Sequence, residues 1–91
     1  MSLLRKYLVD ARRRIGDLTQ EEVANRADLK RQYYNSLESG GKGGRITLAT
    51  AKSLSEALQM TLEEFYKYEQ SYLTEHSREF RARELKKQNL L

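Results

Sequence analysis

The sequence predicts an all-α protein with five helices over residues 1–68 and a C-terminal helical extension over residues 69–91. Apolar residues recur at three- and four-residue spacing along most of the chain, which is the periodicity of helices with one buried face. Residues that cap helices stand before several of these segments. The length of 91 residues fits one small domain.

The first helix is predicted from about Ser2 to Ile15. Its apolar stripe has 4-3-4 spacing and consists of Leu4, Leu8, Ala11 and Ile15. Tyr7 lies beside this stripe, where it is expected to complete the core. Gly16 supplies the helix stop.

Two short helices joined by a tight turn are predicted between Thr19 and Glu38. Thr19 and Glu22 have the spacing of a capping box, which fixes the start of the second helix. The small apolar face of this helix consists of Val23, Ala24 and Ala27. Asp28 tolerates turn conformations and separates the second helix from the third.

The third helix is predicted to have an apolar face and a polar face. Tyr34 and Leu37 lie three residues apart and should face inward. The opposite face carries side chains that can hydrogen-bond to DNA base edges, and it consists of Lys30, Arg31, Gln32, Asn35 and Ser36. These five residues are therefore the candidate base contacts.

A fourth and a fifth helix are expected to hold the third one rigidly. Thr47 caps the fourth helix, and its apolar positions are Leu48, Ala51, Leu54, Ala57 and Leu58. Thr61 and Glu64 form a second capping box that opens the fifth helix. The apolar positions of the fifth helix are Leu62, Phe65 and Tyr66. All of these apolar residues are predicted to lie in the core.

The extension beyond Tyr68 has no proline or glycine and is compatible with a helix. An isolated helix would bury its apolar groups, here Tyr72, Leu73, Phe80 and Leu85. We expect these residues to form a dimerisation surface between two copies of the chain. The alternatives are that they fold back on the fifth helix or that the last residues are disordered.

The stretch from Thr19 to Glu38 resembles the helix-turn-helix of the phage repressor and Cro-like family, also called the Xre family. The matching segments are residues 18–24, Leu29, residues 33–40 and, further along, residues 57–65. The resemblance covers about residues 3–68. It departs from the family at Asp28, where glycine is common, at Asp17, which looks like an extra residue, and at Ile46, where proline is frequent.

This resemblance implies a five-helix repressor-like DNA-binding domain whose helix around residues 30–38 lies in the major groove. In the family, an arginine at the place of Arg12 pairs with the glutamate that corresponds to Glu38. The extra Asp17 leaves Arg13 as the alternative partner. Family members commonly bind inverted repeats of double-stranded DNA as dimers.

Residues outside the base-reading face are candidates for DNA phosphate contacts. Gln20 lies at the N-terminal end of the second helix, where backbone amides and the helix dipole favour an anion. Lys42 and Arg45 belong to a loop that contains four glycines and lacks the P-loop pattern. Tyr33 either packs at the margin of the core or turns its hydroxyl to a phosphate.

Charge and composition agree with a DNA partner and disfavour several other classes of protein. Residues 1–45 contain ten Lys or Arg against six Asp or Glu, whereas residues 46–91 contain seven of each, so the net charge of +4 lies in the half with the third helix. The chain has no cysteine and a single histidine, His76, so neither a disulfide nor a metal cluster is expected. The sequence contains no long apolar run of the kind that forms a membrane span or a secretory signal, so we expect a cytoplasmic protein.

The leading hypothesis is a sequence-specific DNA-binding transcriptional regulator, with repression as the favoured mode and an inverted-repeat operator as the target. The alternative is an antitoxin or another protein-interaction module that also binds DNA and meets a regulatory protein partner through the extension. An enzyme is disfavoured, because no nucleophile with a base, no metal cluster and no cofactor motif can be assembled. We therefore expect no cofactor.

Overall fold

The computed structural model describes residues 3–41 and 46–82. Within these two ranges every regular element is a helix, which confirms the all-α prediction. The helices are α1 (Lys6–Arg14), α2 (Gln20–Arg26), α3 (Arg31–Ser39), α4 (Leu48–Ala57) and α5 (Leu62–Glu75). A further helical stretch covers residues 77–82.

One hydrophobic core joins the five helices. The helix α2 packs on α3, α4 packs on α5, and α1 and α2 also contact α3 and α4 respectively. The core consists of Leu8, Ala11, Leu18, Val23, Ala24, Ala27, Tyr34, Leu37, Leu54, Ala57, Leu58 and Phe65. Full burial of each large apolar side chain stabilises the fold by about 1.5–3 kcal/mol. The small residues of α2 allow it to pack closely on α3.

Both predicted capping boxes are present. The Thr19 hydroxyl accepts a hydrogen bond from the Glu22 amide at 3.1 Å, and the Thr19 amide donates to Glu22 Oε1 at 3.0 Å. Thr61 and Glu64 make the same two bonds, each at 3.0 Å. These bonds to Thr19 and Thr61 lower the pKa of both glutamates. The starts of α2 and α5 are therefore fixed by local sequence.

The turns use left-handed backbone at aspartate as well as at glycine. Asp28, between α2 and α3, has φ 56°, and the following Leu29 amide donates to the Ala24 carbonyl at 2.8 Å. The extra Asp17 has φ 53° and follows Gly16, which has φ 137°. Aspartate adopts this region more readily than most residues. The departures from the family pattern at these two positions are thus absorbed without a change of fold.

The prediction for the start of the first helix was wrong. The helix α1 begins at Lys6, and residues 3–5 are not helical. Side chains alternate between the two sides of an extended segment, so Leu3 and Arg5 are buried while Leu4 is exposed. Tertiary contacts hold this segment out of the helix, because the Leu3 carbonyl accepts from the Tyr72 hydroxyl at 2.6 Å and the Arg5 amide donates to the Glu38 carbonyl of α3 at 2.7 Å.

Three other apolar residues that were predicted to lie in the core are exposed. Leu48 is 75% exposed because it is the first residue of α4, directly after the Thr47 cap, where no neighbouring turn covers it. Tyr66 is 61% exposed. It directly follows the buried Phe65, so it lies about 100° around the helix from the inward-facing side of α5. Leu62, the first residue of α5 after the Thr61 cap, is also exposed.

The boundary expected between residues 68 and 69 falls inside α5, which is continuous from Leu62 to Glu75. Glu69 and Tyr72 are buried on the inward side of this helix together with Phe65. The first part of the expected extension is therefore an integral part of the domain. Residues 83–91, which include Leu85, lie outside the described residues.

Candidate nucleic-acid interface

The helix α3 presents a polar face to solvent while its other face is locked into the core. Tyr34, Leu37 and Glu38 are buried. At about 100° per residue, Gln32 and Ser36 lie opposite these buried positions, and Ser39 lies beside them. Ser39 was not among the predicted base contacts, although the same periodicity places it on this face. Its hydroxyl donates to the Ser36 carbonyl at 3.3 Å.

The N-terminal end of α3 is exposed and basic. Lys30, Arg31 and Gln32 are all exposed, and the first turn contains no acidic residue. The nearest carboxylate to Arg31 is that of Glu21 on α2, with 4.0 Å between Arg31 Nη1 and Glu21 Oε2. This contact is weak because both side chains are well exposed to solvent. Three of the predicted base contacts are thus accessible at one end of the helix.

Asn35 and Ser36 are less accessible than the three residues before them, since both are partly buried. Within the described residues, the Oδ1 atom of Asn35 is buried and has no hydrogen-bond partner. A bidentate contact to adenine needs both an acceptor and a donor directed outward. Asn35 therefore has to turn its amide before it can make that contact.

The ion pair expected between Arg12 and Glu38 is present and is bidentate. Arg12 Nε donates to Glu38 Oε2 at 2.9 Å, and Arg12 Nη2 donates to Glu38 Oε1 at 2.8 Å. Arg12 Nη1 also donates to the Leu18 carbonyl at 3.0 Å. Arg12 thereby links α1, the segment before α2, and α3. Arg13, the alternative partner, is exposed.

The surroundings of Glu38 keep its carboxylate ionised. Burial alone would raise the pKa of Glu38, but hydrogen bonds from Arg12 and Gln20 outweigh this effect and lower the pKa below its ordinary value. Tyr34 is buried in the same region. Its burial, together with the nearby Glu38 carboxylate, raises the pKa of the Tyr34 hydroxyl. The hydroxyl therefore stays neutral.

Gln20 is partly committed to the protein. Its Nε2 atom donates to Glu38 Oε1 at 2.9 Å, so one of the two amide hydrogens is used inside the domain. Gln20 is the first residue of α2 and is partly buried. Its contact with phosphate stays a prediction that depends on the second amide hydrogen.

The remaining phosphate candidates lie in two places. Tyr33 lies on one flank of α3 and is 39% exposed, so part of its ring is covered by the protein and part meets solvent. Lys42 and Arg45 lie outside the described residues. Their contacts with phosphate therefore stay predictions.

A buried network surrounds Arg5 and was not predicted from the sequence. This guanidinium lies between α3 and α5 and makes a bidentate pair with Glu69, from Nε to Oε1 at 2.9 Å and from Nη2 to Oε2 at 3.0 Å. The Tyr7 hydroxyl donates to the same Glu69 Oε1 at 2.6 Å. The guanidinium carbon lies 4.5 Å from the centroid of the Tyr72 ring. No local sequence pattern predicts the pair of Arg5 with Glu69, because the two residues are 64 positions apart.

Among the described residues, the predicted dimerisation residues Tyr72, Leu73 and Phe80 do not form one exposed surface. Tyr72 is buried within its own chain, where its hydroxyl donates to the Leu3 carbonyl at 2.6 Å, so its assignment to a dimer surface was wrong. Phe80 packs back on Tyr72, with 5.7 Å between ring centroids, and is partly buried. Leu73 is also partly buried. These contacts correspond to the alternative in which the segment folds back on its own domain.

No helix within residues 3–41 and 46–82 is long and apolar enough to cross a membrane. In the same ranges, no three His, Cys, Asp or Glu side chains lie together as ligands for a metal ion.

Comparison with known proteins gives a family and one relative. A family model described as helix-turn-helix matches residues 10–65. The control protein C.MunI from Mycoplasma sp is 38% identical over 50 residues, which are 55% of this chain. The alignment covers 65% of that protein, so this chain spans less than two thirds of the relative's length. No solved structure gives a significant match.

The matched residues contain the whole helix-turn-helix unit, from the last part of α1 to the first turn of α5. They include the Arg12 to Glu38 pair and the exposed face of α3. Together, the family match and the relative support a DNA-binding transcriptional regulator. The chain belongs to the helix-turn-helix family of the phage repressor and Cro-like, or Xre, type.

Proposed function

We propose that this chain is a sequence-specific transcriptional regulator that inserts α3 into the major groove of double-stranded DNA. The observation that carries this proposal is the exposed, basic and polar N-terminal end of α3, opposite a face held in the core. In helix-turn-helix proteins the N-terminal residues of the second motif helix contact base edges. The absence of acidic residues from the first turn of α3 favours approach to a polyanion.

Arg31 and Gln32 are the main base-reading residues in this proposal. Arginine makes bidentate bonds to guanine O6 and N7, and glutamine makes them to adenine N6 and N7. Lys30 precedes them and can donate to guanine. Ser36 lies on the same face one turn further and can serve as donor or acceptor. Asn35 contributes only after its amide turns outward.

Phosphate contacts are assigned to residues that flank the base-reading face. Gln20 lies at the start of α2 and retains one amide hydrogen for a phosphate oxygen. Tyr33 offers its hydroxyl from the flank of α3. Lys42 and Arg45 follow α3 in the sequence and supply positive charge. Such contacts set position and affinity without reading sequence.

We also propose that the chain acts as a homodimer on an inverted repeat and that it represses transcription. Its surface for a second copy is an apolar stripe on one flank of α5, where Leu62, Tyr66 and Leu73 fall within about 40° of one another around the helix. Dimers of such domains bind half-sites about one helical turn apart, roughly 34 Å. Repression then follows from occupation of DNA near a promoter.

The dimer surface is tested by substitution, because truncation after Lys67 would remove Glu69 and Tyr72 from the core. Tyr66→Lys introduces a charge into the stripe, and Ser71→Lys introduces the same charge on a different side of α5. Sedimentation of both variants and of the unchanged chain measures the oligomeric state. We expect only Tyr66→Lys to shift a dimer to monomer. A monomeric unchanged chain at high concentration would remove the dimer from the proposal.

The base-reading assignment is tested by selecting bound sequences from random DNA and then measuring variants on the selected site. Arg31→Ala and Gln32→Ala should each weaken specific binding by about 1–3 kcal/mol while most non-specific affinity remains. The matched controls are Arg81→Ala and Gln70→Ala, which remove the same side chains from exposed positions away from α3. Failure to select any sequence would contradict the proposed function.

The phosphate assignment predicts a different signature. Lys42→Ala and Arg45→Ala should weaken binding to every sequence and reduce the salt dependence of affinity by roughly one unit of slope for each lost contact. Titration of the selected site and of random DNA at several salt concentrations measures both quantities. An unchanged slope would remove these two residues from the interface.

A further inference from the structure

The last turn of α3 is closed by groups from outside the helix. The last four carbonyls of an α-helix have no intrahelical partner. The Ser36 carbonyl is satisfied by the amides of Gly40 and Gly41. The next two carbonyls, those of Leu37 and Glu38, accept from Arg5, through its Nη1 atom at 2.8 Å and its backbone amide at 2.7 Å. Arg5 thus caps the C-terminal end of α3 from a distant part of the sequence.

The other side of the Arg5 guanidinium is attached to α5. Glu69 holds it by two hydrogen bonds, and the Tyr72 ring covers it at 4.5 Å from the guanidinium carbon. The Tyr7 hydroxyl, which lies on α1, fixes the Glu69 carboxylate at 2.6 Å. Nε and Nη2 therefore both donate to α5, while Nη1 donates to α3. One buried side chain joins the two helices.

The segment that contains Arg5 is tightly packed on both sides. The Tyr72 hydroxyl donates to the Leu3 carbonyl at 2.6 Å, which ties residues 3–5 to α5. On the other side, a Cβ atom added to Gly40 would lie 2.2 Å from the Leu3 carbonyl oxygen. The segment from Leu3 to Arg5 therefore fits closely between the end of α3 and the inner face of α5. A change on one side of this segment has to move the other.

We propose that Arg5 is a positioning residue for DNA recognition, which sets the orientation of α3 relative to α5 through the Glu69 carboxylate and the α3 carbonyls. This inference rests on the proposed function. In this proposal Arg5 does not contact DNA itself and acts through α3. The positive charge at the C-terminal end of α3 also complements the helix dipole.

The position of this joint has a consequence for reading two half-sites. The helix α5 carries the apolar stripe proposed for the second copy, and the same helix carries Glu69 on its inner face. The contacts of Arg5 with α3 and α5 then fix the angle between each copy of α3 and the dimer axis. Half-site spacing is determined by that angle as well as by the dimer contact.

The test compares Arg5→Lys with a core control on the DNA selected for the unchanged chain. Lysine keeps the charge but loses the planar fork that binds Glu69 and the Leu37 carbonyl at once. The control, Leu58→Val, removes one methylene from the buried end of α4 and leaves Arg5 intact. Circular dichroism first establishes a temperature at which every protein is folded. Glu69→Gln replaces Arg5→Lys if the latter does not fold.

We expect Arg5→Lys to lower affinity for the selected site about tenfold, which corresponds to about 1.4 kcal/mol, and to leave affinity for random DNA unchanged. On a library with varied half-site spacing, it should also flatten the preference for one spacing. The control should keep both properties.

A folded variant with the specificity ratio of the control would overturn the proposal. A loss of specific affinity with an unchanged spacing preference would mean that Arg5 acts only within one copy of the chain. It would refute the proposed effect of Arg5 on half-site spacing through α5. If the unchanged chain selects no sequence, the proposed function fails before Arg5 is examined, so the two failures are distinguishable.

Discussion

Two arginines hold the last turn of α3, and they differ in what they bind. Arg12 reaches it from α1, with its side chain 16% exposed, and binds the carboxylate of Glu38. Arg5 reaches it from the segment before α1, with its side chain 1% exposed, and binds two backbone carbonyls of α3. Arg12 otherwise contacts the segment before α2, whereas Arg5 otherwise contacts α5.

This difference separates a contact inside the helix-turn-helix unit from one that joins the unit to the rest of the domain. Both partners of the Arg12 pair lie within the residues matched by the family, 10–65, while Arg5 and Glu69 lie on either side of that range. The helix α3 is therefore held by one ion pair inside the matched range and by a second set of contacts from residues beyond that range. Substitution of each arginine separates the two contributions energetically.

The largest effect is expected for Arg5→Met. Methionine leaves Glu69 buried without its cation and removes the side-chain donor from the Leu37 carbonyl. Loss of one partner of a buried ion pair typically costs about 3–5 kcal/mol. Urea unfolding followed by circular dichroism measures the free energy of unfolding. A loss no larger than that of Arg12→Met would show that burial does not distinguish the two arginines.

The close contact of the Arg5 segment with α3 predicts that Gly40→Ala is also destabilising. Gly40 has φ 74°, and a Cβ atom there would meet the Leu3 carbonyl oxygen at 2.2 Å. Left-handed strain of about 1–2 kcal/mol and overpacking of about 1–3 kcal/mol together give a loss of roughly 2–5 kcal/mol.

Two further variants isolate the contact at Gly40 from general effects on the loop. Gly41→Ala should be nearly neutral, because its Cβ would meet only the Ser39 hydroxyl at 3.3 Å. Gly40→Asn relieves part of the backbone strain but keeps the clash, so it should remain destabilised. Thermal unfolding of the three variants measures the differences. If Gly40→Asn were as stable as the unchanged chain, the segment from Leu3 to Arg5 would have to move away from the added side chain at little cost in free energy.

A smaller loss is expected for Arg12→Met. Hydrogen bonds to charged groups contribute about 1.5–3 kcal/mol, and water can reach the place that this partly exposed guanidinium leaves. Gln20 remains as a donor to Glu38. The same urea experiment measures the loss, and the double variant Gln20→Ala with Arg12→Met tests whether Gln20 limits it. A double variant no less stable than Arg12→Met would contradict that role.

The smallest effect is a change in acid dependence at Glu38. Because the pKa of Glu38 is lower in the folded chain, its ion pair contributes stability above the ordinary value of 4.5, and this contribution is lost as pH falls through the lowered pKa. Glu38→Gln should therefore lose less stability on acidification than the unchanged chain. Glu22 and Glu64 also have lowered pKa values, so some acid dependence should remain. Unfolding free energies at about pH 7 and about pH 3 test this.

Local patterns in the sequence determined most of the fold. Capping boxes at Thr19 and Thr61 fixed two helix starts, because the bonds that make them join residues three apart. The alternation of polar and buried positions on α3 was predictable for the same reason, since helical periodicity depends only on nearby residues. The pair between Arg12 and Glu38 was accessible through resemblance to a family.

The sequence by itself determined the helices, the turn chemistry and the polar face of α3, because each depends on contacts within one or two helical turns. Tertiary structure decided the start of α1, the burial of Arg5 and the inward direction of Tyr72. These depend on contacts of Arg5 with Glu69, 64 residues away, and of Tyr72 with Leu3, 69 residues away. A charged residue is ordinarily exposed, and only tertiary structure brings the Glu69 carboxylate of α5 and the carbonyls of α3 around Arg5 to make its burial favourable.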